Sequence, residues 1–178
     1  MKISNQQTLP VPRDDAWRAL NDTAILQACI PGCESLVCTG VDSYELVVLA
    51  AIGPVKARFK GKLALSNKLP PESYELQFEG QGGVAGHGKG QAAVRLEPTA
   101  DQQTVLHYAA TATVGGKIAQ IGQRLVDMAA QRMAADFFRN FNEQLQPAPA
   151  PQADPEASRP ASLWARLTGK PAPDEAAP

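Results

Sequence analysis

At Gly115-Gly116 the hydrophobic pattern of this chain changes its period, and that change limits the folds open to it more than any other feature. Upstream, apolar and polar residues alternate one by one; downstream, apolar residues recur at spacings of three to five. In KIAQIGQRLVDMAAQRMAADFFRNFNEQL the stripe is Ile118, Ile121, Leu125, Met128, Met133, Phe137, Phe141 and Leu145. This spacing predicts one helix over 117–145, about 44 Å long at 1.5 Å per residue. A helix of that length buries its stripe only by lying across a sheet.

The sheet is written in the preceding residues, 34–114. Turn signals at Gly40 to Ser43, Gly53-Pro54, Leu69-Pro70-Pro71-Glu72, Gly82-Gly83 and Glu97 to Gln102 divide it into strands with links too short for anything but an antiparallel meander. In GPVKARFKGKLAL, Val55, Ala57, Phe59, Gly61, Leu63 and Leu65 share one face, and Lys56, Arg58, Lys60 and Lys62 the other. In SYELQFEG, Tyr74, Leu76 and Phe78 point to the core, and Glu75, Gln77 and Glu79 to water. Before the meander, Lys2 to Val11 reads as a strand ending at Pro10 and Pro12. Asp14 or Asp15 is placed to cap a short helix carrying Trp17 and Leu20 and, past Asn21, Ile25 and Leu26. The fold class is therefore α+β: a curved antiparallel sheet wrapped around one long C-terminal helix, with a helical insertion after the first strand.

Composition sets the boundaries of this domain. From Gln146 the chain reads QPAPAPQADPEASRPASLWARLTGKPAPDEAAP, which holds eight of the 15 prolines. Proline at that density removes backbone donors and fixes φ, so the expectation is a folded domain over 1–145 and a Pro-rich flexible tail over 146–178. Within the tail, 162–170 (SLWARLTGK) presents Leu163, Trp164 and Leu167 beside Arg166 and Lys170. That combination suits a membrane interface or a groove on a partner; the alternative is a tail with no docking role.

Lys plus Arg number 17 and Asp plus Glu 18, so no general field attracts nucleic acid. No apolar run reaches the length of a membrane span, and MKISNQQTLP lacks a signal-peptide pattern, so the expected compartment is the cytoplasm. An odd number of cysteines, three, does not suggest a disulfide framework.

Motifs of the kind that carry chemistry elsewhere read as structural here. Gly83-x-x-x-x-Gly88-Lys89 approaches a phosphate-binding loop, but Gly90 stands where the magnesium-binding Ser or Thr belongs and a strand follows instead of a helix. His87 and His107 fall on different strands without ligand-spaced partners, so neither a metal site nor a catalytic base is expected. The row Lys56, Arg58, Lys60 and Lys62 faces Glu75 and Glu79 on the next strand, the ordinary finish of a wet face, although it would also suit an anionic membrane. In CIPGC, Pro31 and Gly32 end the inserted helix, which leaves Cys29 and Cys33 at a helix C-terminus where no dipole favours a thiolate. They are expected to pack as small apolar groups.

One pattern leaves two readings open. Gly86, Gly88 and Gly90 extend the inward face of Ala92, Val94 and Leu96, and the helix answers with Ala119, Gly122, Ala129, Ala130, Ala134 and Ala135. Small residues either let helix and sheet approach closely or leave a ligand cavity between them. On the cavity reading, its lining is Phe59, Phe78, Tyr108, Ile121, Leu125 and Met128 beneath the glycine strand.

Taken together, IPGCESL at 30–36, GPVKARFKGK at 53–62, GKGQAAVRLEP at 88–98 and IGQRLVDMAAQRMAADFFRNF at 121–141 resemble the carbon monoxide dehydrogenase G-subunit (CoxG) family. The resemblance spans about residues 1–145. It implies a START-like, helix-grip fold with an apolar cavity, no catalytic residues and no covalently bound cofactor. It further implies a non-enzymatic accessory protein that binds an apolar small molecule, a quinone, and links a molybdenum hydroxylase of the carbon monoxide dehydrogenase type to the inner face of the cytoplasmic membrane as a peripheral contact. The competing readings are an enzyme acting on an apolar ligand inside the helix-grip cavity and a purely structural docking subunit.

Overall fold

Each alternating segment pairs with its neighbour in sequence, and the computed structural model, which describes residues 1–146, shows one antiparallel sheet of seven strands. In chain order these are β1 (Lys2–Leu9), β2 (Cys33–Gly40), β3 (Ser43–Ile52), β4 (Val55–Leu69), β5 (Ser73–Gln81), β6 (His87–Pro98) and β7 (Thr104–Gly115). The spatial order is β1-β7-β6-β5-β4-β3-β2. Strands β2 to β7 are thus a meander, and β1 closes back on β7 with Gln7 opposite Leu106 and Ile3 opposite Ala110. The turn signals fall at the junctions between strands.

Burial follows the parity read from the sequence. Along β4, Lys56, Arg58, Lys60 and Lys62 are exposed while Val55, Ala57, Phe59, Leu63 and Leu65 are half-buried. On the wet face the register sets Glu45 opposite Lys62, Lys62 opposite Glu79, and Glu79 opposite Lys89, a row of alternating charge across β3 to β6. Glu75 does not join it, because it lies opposite Ser66 and accepts a hydrogen bond from Asn67. Arg58 instead reaches Glu34 on β2, donating from Nε at 2.6 Å and from its terminal nitrogen at 2.9 Å.

The insertion is two helices, α1 (Arg13–Leu20) and α2 (Thr23–Cys29). The side-chain cap is on the second: Asp22 accepts from the amides of Ala24 and Ile25 at 2.9 and 3.3 Å. Asp14 and Asp15 lie inside the first turn of α1, where the helix dipole favours them, but neither caps it. CIPGC is the reversal from α2 into β2, and it is fixed at both ends. Asn140 of the C-terminal helix donates to the Cys29 carbonyl at 3.1 Å, and the Leu49 amide donates to the Gly32 carbonyl at 2.8 Å.

The expected continuous helix over 117–145 is broken. It consists of α3 (Lys117–Gln120) and α4 (Gln123–Leu145), separated at Gly122, whose φ of +99° no side-chain-bearing residue adopts readily. The break also shifts the buried stripe. Ile118, Val126, Phe138 and Phe141 are buried, whereas Leu125 and Met128 are 42% and 57% exposed. The lower half of α4 is gripped by the sheet and the insertion. Leu9, Leu96, Leu106, Cys29 and Phe141 are fully buried there with Ala16 and Leu20, and each large apolar side chain contributes about 1.5–3 kcal/mol by leaving water.

Candidate functional site

The inward faces of β3 to β7 do not meet the helices everywhere, and the gap between them is an apolar cavity of about 350 Å³. Its sheet wall is built by parity: Leu46 from β3, Leu63 and Leu65 from β4, Leu76 and Phe78 from β5, Val94 from β6, Leu106 and Tyr108 from β7. Leu20 of α1, Leu26 of α2 and Ala134, Phe137 and Phe138 of α4 close the other side. Ala134 contributes only a methyl group to that wall. The aromatic part is stacked, with Tyr108 and Phe138 rings 5.0 Å apart and Phe137 and Phe141 5.6 Å apart. Among the described residues the lining holds no His, Cys, Asp, Glu, Lys or Arg; its polar side-chain atoms are the hydroxyls of Tyr44, Tyr74 and Tyr108.

Of the side chains expected to line a cavity, the structure brings Phe78 and Tyr108 to this one. Phe59, Gly86, Gly88, Gly90, Ile121, Leu125 and Met128 lie elsewhere. The glycines correct the expectation most clearly. A Cβ on Gly90 would stand 2.5 Å from Cζ of Phe78, and one on Gly82 would stand 2.7 Å from Cδ1 of Phe59, so aromatic rings already occupy those gaps. Gly86, at φ +113°, packs its backbone against Gly115 and Gly116. A Cβ on Gly88 would meet only ordinary contacts, at 3.7 Å, with the Thr113 carbonyl oxygen and Val114. Gly86 and Gly90 therefore serve close approach, whereas Ala92 of β6 lines the cavity, which lies mainly under the leucine-rich strands. Ile121 and Leu125 flank the β3–β4 turn instead, within 3.7 Å of where a Cβ on Gly53 would be.

The signal for the missed lining was present. Leu63, Leu65, Tyr74 and Leu76 belong to the inward set of their strands; what was lacking was where the helix stands away from them. The docking residues expected in the tail, Leu163, Trp164, Arg166, Leu167 and Lys170, lie outside the described residues.

Other depressions are of a different kind. The largest, about 850 Å³, is an open saddle lined in part by Glu45, Lys62, Gln77, Glu79, Lys89 and Thr111, side chains of the wet face. His107 sits 3.2 Å from Glu97, which also pairs with Arg95 at 3.0 Å, an exposed cluster of ordinary surface character. Among the described residues no group of three or more His, Cys, Asp or Glu side chains is arranged to hold a metal ion. Burial pushes the Cys29 thiol up to about 11, with the Glu143 charge adding to the effect, and Cys33 is raised chiefly by burial. Both thiolates are therefore disfavoured.

Residues 6–146 match the family model described as the G subunit of carbon monoxide dehydrogenase, CoxG. The chain belongs to the CoxG family. A solved structure of a conserved protein from Geobacillus kaustophilus is similar to this CoxG-family chain, with 32% identity and a TM-score of 0.77 over 82% of this chain and 95% of that one. A Thermus thermophilus protein shares the fold at 15% identity and a TM-score of 0.60, over 82% and 97% of the two chains. The Zhui aromatase/cyclase from Streptomyces sp. R1128 shares it at 12% identity and 0.58, over 82% and 93%. At those identities the likeness of the last two is one of fold, which places the CoxG-family chain in the START-like, helix-grip class. No curated protein matches the chain.

Proposed function

We propose that this chain is a non-enzymatic accessory subunit that takes an apolar small molecule, a quinone, into its cavity beside a molybdenum hydroxylase of the carbon monoxide dehydrogenase type. The observation that carries the reading is the apolar cavity of about 350 Å³ between sheet and helices. It lies within the size range of small-molecule sites. At about 30 Å³ per water-sized group it accommodates about a dozen such groups, the size of a bicyclic ring head, so a long isoprenoid tail has to extend beyond it. Membership of the CoxG family supports this choice of partner. A wall without acids, bases or thiols offers no general acid–base pair, which supports carriage of a ligand over its conversion.

Contact with the membrane would be peripheral on this reading, since no described helix is long and apolar enough to cross a bilayer. Leu163, Trp164 and Leu167, with Arg166 and Lys170, are the sequence's candidates for docking on the membrane or the hydroxylase.

The test is calorimetric titration of the full chain with a short-chain ubiquinone analogue, beside the variant Ala134→Phe, whose ring would enter the cavity. Saturable one-to-one binding that weakens at least about tenfold in the variant is expected. Absence of saturable binding, or equal affinity in both proteins, would overturn the reading.

A further inference from the structure

The cavity wall is apolar except for its tyrosine hydroxyls. Tyr44 and Tyr74, on β3 and β5, flank β4 and face inward; their residues are 8% and 6% exposed, and both line the cavity. A phenol that deep ordinarily finds a partner. Yet neither hydroxyl makes a hydrogen bond to any described residue, and neither is among the buried polar atoms sealed away without a partner, which are the side-chain oxygens of Asn21 and Asn142. The two hydroxyls therefore border open space among the described residues; Tyr44 also lines the open saddle and Tyr74 a second surface depression, and the cavity is the space to which both residues contribute.

The surroundings of Tyr74 are partly polar. The Trp17 ring meets Tyr74 edge-on with centroids 5.6 Å apart, and Lys68 Nζ stands 6.0 Å from the Trp17 ring centroid. Lys68 is held there by Asp42 at 2.7 Å, both half-buried. Burial raises both phenols above their ordinary range, and each hydroxyl keeps its proton to donate. Tyr108, by contrast, is half-buried and stacked on Phe138, and supplies ring surface.

We infer that the Tyr44 and Tyr74 hydroxyls form a donor pair that selects, among flat apolar ligands, those carrying a ring carbonyl oxygen. The inference rests on the ligand-binding reading above and deepens it. A ring carbonyl accepts from either phenol, whereas a bare hydrocarbon of the same shape leaves both hydroxyls unsatisfied, and that difference is where selectivity arises.

The experiment compares two probes on the full chain: 2,3-dimethyl-1,4-naphthoquinone, which has no free quinone ring position for the exposed Cys38 thiol to attack, and 2,3-dimethylnaphthalene. Wild type is expected to bind the quinone more tightly. Tyr44→Phe and Tyr74→Phe should each weaken quinone binding about 3- to 10-fold and leave hydrocarbon binding within about twofold. Because the hydroxyls have no partner among the described residues, the melting temperature of both variants should hold or rise. Equal losses for both probes, no loss for the quinone, or a fall in melting temperature would each overturn the donor pair while leaving the cavity reading intact. Failure of the wild type to bind either probe would overturn the cavity reading, and the donor pair with it.

Discussion

Cys29 shows how burial, not neighbouring chemistry, sets the behaviour of a reactive side-chain type. Its thiol is pushed up to about 11 by burial, with Glu143 a lesser cause, against an ordinary 9.0. Above pH 9 the unfolded chain releases this proton before the folded one does, so the folded state binds more protons and stability falls as pH rises toward 11; below pH 9 the contribution is fully present. Urea unfolding at about pH 8 and about pH 10.5 is expected to show about 1–2 kcal/mol more alkaline loss in wild type than in Cys29→Ala. An equal loss in both would mean that the thiol stays protonated for no energetic reason of its own. CIPGC was legible in this respect because Pro31 and Gly32 fix the local geometry from the sequence alone. The place of His107 was not. Its contact with Glu97 joins residues on paired strands, and a register that sets Glu97 opposite Val105 cannot be read from either strand singly.

At the scale of elements, Gly122 does more than interrupt a helix. At φ +99° it ends α3, starts α4 without a side-chain cap and rotates the stripe so that Val126, not Leu125, is buried. An added Cβ meets nothing within 4 Å, so Gly122→Ala tests backbone conformation alone. The substitution should cost about 1–3 kcal/mol, measured by chemical denaturation, from the strain of a positive φ. A neutral or stabilising result would show that the chain runs on through 121–123 as one helix when allowed to. The periodicity predicted the right element in the right place because Met133, Phe137, Phe141 and Leu145 keep their phase through to the C-terminus. It failed upstream because a helical pattern tolerates one glycine on paper and the backbone conformation there is decided by packing. Parity, with a period of two and no such freedom, predicted the strand faces.

For the molecule as a whole, the difference between a filled and a hollow interior was the one large matter that side-chain pattern left open. Phe78 closes the gap at Gly90 only because the two are register partners. Volume arises from curvature and register, which no single segment contains. The hollow has a mechanical consequence. Unfolding eliminates internal void, so a fold with about 350 Å³ of poorly hydrated space should be soft under hydrostatic pressure. Pressure-induced unfolding followed by Trp fluorescence should therefore begin at lower pressure in wild type than in Ala134→Phe, although the variant gains nothing comparable in heat. Equal pressure midpoints would mean that water already fills the space. If the midpoints differ, compressibility becomes a direct gauge of occupancy: a carrier of this kind would stiffen each time it loads and soften each time it delivers.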